Sequence, residues 1–262
     1  MKLELYQVDA FTDKVFGGNS ACVVPLNEWL PDELLFNITR ENAVAETAFF
    51  VPVGLEFHLR WFTPEIEMDL CGHATLAAAH VLKNHLQYAG DTITFHSQSG
   101  ILTVMINNGL YTLDFPSRMP EPAILHDTIR LALSKQPVEV LLSRDFVLVY
   151  EDEQDVRDIR INRTIVDQIN LDPGGIIITA PGQHCDFVSR FFSPQASIFE
   201  DPATGSSHCS LIPYWSKRLN KKSLKALQLS NRVGRLFCED KGERVFIAGN
   251  AITYSVGSLW TE

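Results

Sequence analysis

The chain of 262 residues has no closely spaced cysteine pair, no excess of basic residues and no long apolar run. Each absence removes a class of protein. Its five cysteines, at 22, 71, 185, 209 and 238, make no C-x-x-C and are odd in number. That pattern predicts free thiols in a reducing cytoplasm, not a disulfide framework. Lys+Arg 22 against Asp+Glu 32 gives a formal net charge of −10, whereas a nucleic-acid binder needs a clustered positive surface. A small anion remains compatible with that charge, since a few backbone N–H groups can hold one locally. No stretch approaches the roughly 20 apolar residues of a membrane span, and the start MKLELYQVDAF lacks the apolar core of a signal peptide. The expected setting is cytoplasmic, with neither nucleic acid nor membrane as partner.

Dinucleotide and metal motifs are also wanting. Gly17-Gly18 lacks the G-x-G-x-x-G spacing, and no helical pattern opens directly after it. His184-Cys185 and His208-Cys209 have no second pair at ligand spacing, so no metal site is expected. His80 and His85 are five apart on a helical stretch, a spacing that does not share a face.

What the chain does have is an internal repeat. Arg60-Trp61-Phe62-Thr63-Pro64 returns 130 residues later as Arg190-Phe191-Phe192-Ser193-Pro194. Seven residues after the proline stand Cys71 in the first copy and Asp201 in the second, each followed by small residues that open a helical stretch. Gly100-Ile101-Leu102 answers Gly234-Arg235-Leu236, and Asn108-Gly109 answers Lys241-Gly242. Two related halves are expected, 1–117 and 118–262, with Pro116, Pro120 and Pro122 at the junction. The last strand, about 252–262, is a candidate to pack back on the first half.

β-Branched and aromatic content predicts strands at 3–9, 21–25, 46–52, 56–63, 91–96, 100–106 and 110–115. In the second half it predicts strands near 145–150, 175–180, 186–192, 234–238, 243–248 and 252–259. Asn108-Gly109 is a hairpin signal. Helices are expected from Pro31 to about 42, over 73–86, over 154–170 and over 206–219, the last kinked at Pro213. The 73–86 stretch has no polar face, which marks a buried helix.

Both buried helices begin with small residues, and a helix start carries unpaired N–H groups and partial positive charge. Such starts can bind a carboxylate or can merely allow close packing. Cys71 with His73, and Asp201 with Ser206, are the reactive groups beside them. Glu46 is a lone carboxylate in the run Ala43–Phe50. It reads either as an acid/base group tuned by burial or as an outward-facing strand residue. Cys71 reads as a base or as a small buried residue.

These residues carry a resemblance. Gln7-Val8-Asp9-Ala10-Phe11-Thr12, Gly17-Gly18-Asn19, Glu46-Thr47-Ala48-Phe49, Cys71-Gly72-His73-Ala74-Thr75 and Glu200-Asp201-Pro202-Ala203-Thr204-Gly205-Ser206 are similar to motifs of the phenazine-biosynthesis PhzF-like family. The likeness runs from residue 3 to 260. It implies an α+β, diaminopimelate-epimerase-like fold: two pseudosymmetric halves, each a curved, mostly antiparallel sheet around a central helix, with the site in the cleft between them. It further implies a homodimer without metal or organic cofactor. The implied activity is that of an isomerase moving a proton on a small, anionic carboxylic-acid substrate. Glu46, His73, Asp201 and Ser206 match the family's catalytic positions. Asn19, Cys71, Gly72, Ala74, Gly205 and Ser207 match positions around the substrate.

Related epimerases of this fold use two cysteines, one per half. Here the first thiol position is Cys71 and its partner reads Asp201-Pro202, which argues against a cysteine–cysteine racemase. Two other readings stay open: an amino-acid racemase or epimerase using Cys71 opposite Glu46 or Asp201, and a non-catalytic binding protein on the same fold.

Overall fold

The computed structural model describes residues 1–171 and 174–261. The chain forms two compact units, Met1–Asp114 with Ala248–Glu262, and Phe115–Ile247.

In the first unit, strand Lys2–Ala10 lies between two antiparallel neighbours, Ala251–Trp260 and Asn19–Pro25. Asn19–Pro25 runs parallel to Glu46–Val53, which pairs antiparallel with Glu56–Phe62. Glu56–Phe62 carries the two-residue strand Glu67–Met68 and runs parallel to Thr92–Ser97. Thr92–Ser97 pairs antiparallel with Gly100–Asn107, which forms a hairpin with Leu110–Pro116. Asn108 and Gly109 turn it with φ 49° and 78°, the left-handed pair that a two-residue hairpin needs. Helix Gly72–Asn84 is buried from Gly72 to Leu82, because a stretch without a polar face has nothing to offer water. Parallel strands covered on both faces read as continuous apolar runs. Ala21–Val24 obeys this, and helix Asp32–Asn42 supplies the outer cover through Leu35 and Ile38 against Val24, Phe49 and Phe62.

The second unit repeats this order of parallel and antiparallel steps. Glu139–Leu142 pairs antiparallel with Phe146–Val149, which runs parallel to Ile176–Pro181. Ile176–Pro181 pairs antiparallel with Phe187–Phe192, which carries Glu200–Asp201 and runs parallel to Ser223–Gln228. Ser223–Gln228 then pairs antiparallel with Gly234–Asp240. The buried helix is Gly205–Leu219.

The register corrects one alignment made above. Phe62 faces Glu67 in one unit and Phe192 faces Glu200 in the other. The ion pairs agree, since Arg60 grips Glu67 and Arg190 grips Glu200, each through two nitrogens. The offset between halves therefore grows from 130 to 133 residues across the loop 193–199. Asp201 matches Met68, and the counterpart of Cys71 is Thr204: each immediately precedes the first residue of its central helix.

Three further differences have local causes. The helix predicted over 154–170 is two short helices, Glu153–Asp158 and Arg163–Val166. Between them the backbone turns aside: Arg160 N–H bonds Ser134 Oγ, Asn162 N–H bonds the Ala132 carbonyl, and the Asn162 side chain caps the second helix. With Asp127–Ala132 these helices cover the cluster of Leu148, Tyr150, Val156, Ile176 and Val188. Helix Gly205–Leu219 continues through Pro213. A proline has no N–H, so the Cys209 carbonyl one turn back loses its helical donor. The Arg118 backbone N–H replaces it at 2.9 Å, which fastens the segment entering the unit to the helix. Finally, the first central helix stops at Asn84, and His85 caps it with its N–H on the Val81 carbonyl. Both His80 and His85 then reach the Thr253 hydroxyl, through Nε2 at 2.9 and 2.8 Å.

Among the described residues no helix is long and apolar enough to cross a membrane.

Candidate active site

In the first unit the site is assembled at one end of the central helix. Asn19 and Glu46 are the first residues of their strands, and parallel pairing sets Ala21 against Glu46. The loop before Asn19 is fixed from below. Asp9 Oδ2 accepts the Phe16 N–H at 2.8 Å, and Gly18 turns with φ +57° where a Cβ would stand 2.0 Å from the Ala10 carbonyl oxygen. No side chain other than hydrogen fits there.

Glu46 is not outward-facing. Its side chain is 16% exposed, and its Oε2 lies 3.0 Å from Nε2 of the buried His73. That oxygen is buried and receives no aligned hydrogen bond, so the contact is one of charge. The far ring nitrogen, Nδ1, is 3.2 Å from Asn19 Nδ2 and 3.6 Å from Cys71 Sγ. Burial alone would push the His73 pKa down, but the Cys71 sulfur and the Glu46 carboxylate carry it well above the ordinary histidine value. Burial raises the Cys71 pKa, Glu46 adds to that, and His73 opposes it.

Cys71 precedes the helix in extended conformation, φ −140°, and makes no side-chain capping hydrogen bond. Gly72, His73 and Ala74 form the first turn, whose N–H groups have no helical acceptors. Ala74 is fully buried and Gly72 carries no side chain, so both serve through backbone and close packing.

The second unit builds a different arrangement at the matching place. Thr204 precedes its helix with φ −111° and likewise makes no capping bond. Its hydroxyl instead donates to Asp201 Oδ2. Gln228, with no exposed surface, ties the turn together. Its Oε1 accepts the Thr204 N–H at 2.8 Å, and its Nε2 donates to the Asp201 carbonyl at 2.7 Å and to Thr204 Oγ1 at 3.0 Å. Gly234 leaves room beneath, since a Cβ there would stand 2.6 Å from the Ala203 Cβ. Gly205, Ser206 and Ser207 open the helix. Ser207 is buried with its hydroxyl on the Thr204 carbonyl, while Ser206 is partly exposed.

The residues named from sequence thus gather in two sets: Asn19, Glu46, Cys71, Gly72, His73 and Ala74 in one unit, and Asp201, Gly205, Ser206 and Ser207 in the other. Sequence reasoning gave no role to Asp9, Thr204 or Gln228. Each is a polar residue whose importance lies in long-range hydrogen bonds, and only the return of the repeat at a 133-residue offset could have singled out Thr204. Glu46, Cys71 and His73 also offer one metal-ligating atom each, all within 4.8 Å of one another. Of the pairs weighed from sequence, His208 is fully buried with its Nδ1 on the Thr204 carbonyl, and Cys209 is core.

Two sheet-and-helix units that repeat one order of strand pairing make up a fold also found in solved epimerases and racemases. One solved example is a hydroxyproline epimerase of Agrobacterium vitis with bound trans-4-hydroxy-L-proline. It matches at TM-score 0.67 and 10% identity, over 98% of this chain and 92% of that one. Within that fold the chain belongs to the phenazine biosynthesis-like (PhzC-PhzF) family, whose model matches residues 8–257. It is 47% identical to an uncharacterised isomerase of Pseudomonas aeruginosa, over 99% of each chain. The crystal structure of a PhzF-family phenazine biosynthesis protein from Enterococcus faecalis superposes at TM-score 0.95 and 46% identity, covering both chains fully.

Proposed function

We propose that the chain is an isomerase that shifts a proton within a small, anionic carboxylic acid, with Glu46 as the base. The observation that carries this reading is the Glu46–His73 pair: a buried oxygen without a hydrogen bond, 3.0 Å from an imidazole nitrogen. An acceptor without a hydrogen bond has none to give up when it takes a proton. The substrate C–H bond breaks, the proton passes to Glu46 Oε2, and the electron pair delocalises into the adjoining unsaturated or carboxyl group. Reprotonation at another carbon completes an isomerisation with no change of oxidation level. His73, with its Nδ1 3.2 Å from Asn19 Nδ2, keeps a second proton at Nε2, 3.0 Å from Glu46 Oε2. The first turn at Gly72 binds the substrate carboxylate through backbone N–H groups. Asp201 and Ser206 are assigned to the same reaction through the family, with Thr204 and Gln228 orienting Asp201.

Inversion by two thiols is less well supported. Cys71 is buried with its pKa raised, and its counterpart is a threonine. The test is solvent exchange: the protein in D2O with a panel of small carboxylic acids, including cyclic dienes and both enantiomers of amino acids, followed by NMR. Glu46-dependent C–H loss with a rearranged product supports the reading, and Glu46→Gln should lower the rate about 100-fold or more. Undiminished exchange in that variant overturns it.

A further inference from the structure

We propose that Glu46, Cys71 and His73 form a binding site for a zinc-like divalent cation, with the fourth coordination position open, and that such a cation shuts off the proton chemistry. The inference rests on the same residues as the proposed function but asks a different thing of them.

The donor set is the first argument. A thiolate, an imidazole and a carboxylate are the three ligand types zinc takes, and three protein ligands plus one free position is the open form of its tetrahedral sites. Geometry is the second. Bond lengths of about 2.0–2.3 Å place tetrahedral ligand atoms about 3.3–3.7 Å apart. Here His73 Nε2 lies 3.0 Å from Glu46 Oε2 and 4.0 Å from Cys71 Sγ, and all three ligand atoms fall within 4.8 Å. Side-chain torsions have to close the widest of these separations by up to about 1 Å. Third, Glu46 Oε2 is buried and takes no hydrogen bond, so a cation there supplies a missing partner instead of displacing one. Fourth, a ligating histidine needs its other nitrogen oriented by a neighbour. Asn19 sits 3.2 Å from His73 Nδ1, and its amide can turn to present oxygen to an Nδ1–H.

Binding replaces the Cys71 S–H bond with a sulfur–metal bond and the His73 Nε2–H bond with a nitrogen–metal bond, and releases both protons to water with no change of oxidation state. It also engages the Glu46 oxygen that would receive the substrate proton, so metal and proton transfer exclude each other. The site belongs to the borderline-soft end of the divalent series, not to magnesium or calcium, which take oxygen cages.

The experiment uses the whole protein with Co2+ as probe and Zn2+ as competitor, after treatment with chelator. One Co2+ per chain is expected, giving a near-ultraviolet thiolate-to-cobalt band and tetrahedral visible bands, both erased by Zn2+. Cys71→Ser should abolish the thiolate band, His73→Gln should weaken binding at least tenfold, and Asn19→Ala should weaken it about 10–100-fold. Circular dichroism of each variant separates lost ligation from lost fold. Absence of a thiolate band in the wild type, or its survival in Cys71→Ser, overturns the proposal. The two readings fail separately. Chelated protein that shows Glu46-dependent exchange but binds no cobalt sinks only the metal site. Protein that binds cobalt through Cys71, yet exchanges normally as Glu46→Gln, sinks only the base.

Discussion

Cys71 and Thr204 hold the same position in the two halves, each the last residue before a buried central helix, yet their side chains are used differently. Cys71 lies against His73. Thr204 is spent on holding Asp201, and Gln228 holds both. One half thus keeps a proton-carrying group at the helix start, while the other keeps a braced carboxylate three residues earlier.

That brace is measurable as coupling. Thr204→Val removes the hydroxyl that donates to Asp201 and accepts from Gln228, and should cost about 1–3 kcal/mol. Gln228→Leu should cost more, because it strands the Thr204 N–H and the Asp201 carbonyl. In a double-mutant cycle by urea unfolding the two should be non-additive by about 0.5–3 kcal/mol. Strict additivity would mean the three groups do not act as one unit.

Acid should destabilise the protein through two buried histidines. Burial, with His85 nearby, lowers the His80 pKa to about 4. Burial lowers His208 to about 4 as well, against a small opposing pull from the Thr204 carbonyl. Both therefore fold as neutral rings, and the unfolded chain, with histidines near 6.5, binds more protons. Their contribution is fully present above about pH 6.5 and is lost as pH falls towards 4, each costing up to about 1.4 kcal/mol per pH unit. Urea midpoints measured across that window should fall less steeply for His208→Gln than for the wild type. Parallel curves would show that His208 is not buried in its neutral form.

The fold was legible because its signals are local or repeated. Asn108-Gly109 demanded a hairpin, the apolar run after Cys71 demanded a buried helix, and the Arg60 and Arg190 motifs announced the duplication. What was hidden depended on distant partners. Ser223–Gln228 is a strand without a β-branched or aromatic residue, so its composition does not announce it; only the alternation of buried Leu224, Ala226 and Gln228 betrays it. The Asp201 alignment failed because three extra loop residues precede it, and a loop insertion leaves no mark on hydrophobic pattern. Glu46 was ambiguous for a related reason: which way the first residue of a strand points is decided by its neighbours across the sheet and by His73, not by its own run.

Thiol chemistry should separate the cysteines by burial. Cys22, Cys71, Cys209 and Cys238 are 6% exposed or less, whereas Cys185 is partly exposed, its pKa pushed up to about 11 chiefly by burial. In native protein, iodoacetamide at neutral pH should modify Cys185 first and slowly, leaving the other four until denaturant is added. Peptide mass spectrometry reads the order. Rapid labelling of Cys71 in the folded protein would show an open, ionised thiol and would revive the racemase reading.

His73 offers a test of the site that needs no substrate. Burial opposes its charge, while Cys71 and Glu46 favour it and prevail, so the imidazolium should persist well above the usual histidine range. Glu46→Gln keeps the shape of the side chain and removes its charge, leaving burial opposed by Cys71 alone. The His73 pKa should then drop, and its ring resonances should titrate at lower pH in an NMR experiment. The stability consequence has a definite sign. A histidine whose folded pKa is raised contributes fully below its unfolded value near 6.5 and loses that contribution as pH rises through the folded pKa. Wild-type protein should therefore lose stability on the alkaline side of neutrality relative to Glu46→Gln, whose curve should be flatter there. If His73 titrates at the same pH in both proteins, the 3.0 Å approach of Glu46 Oε2 to His73 Nε2 is not an interaction of charges, and Glu46 loses its claim to be the base.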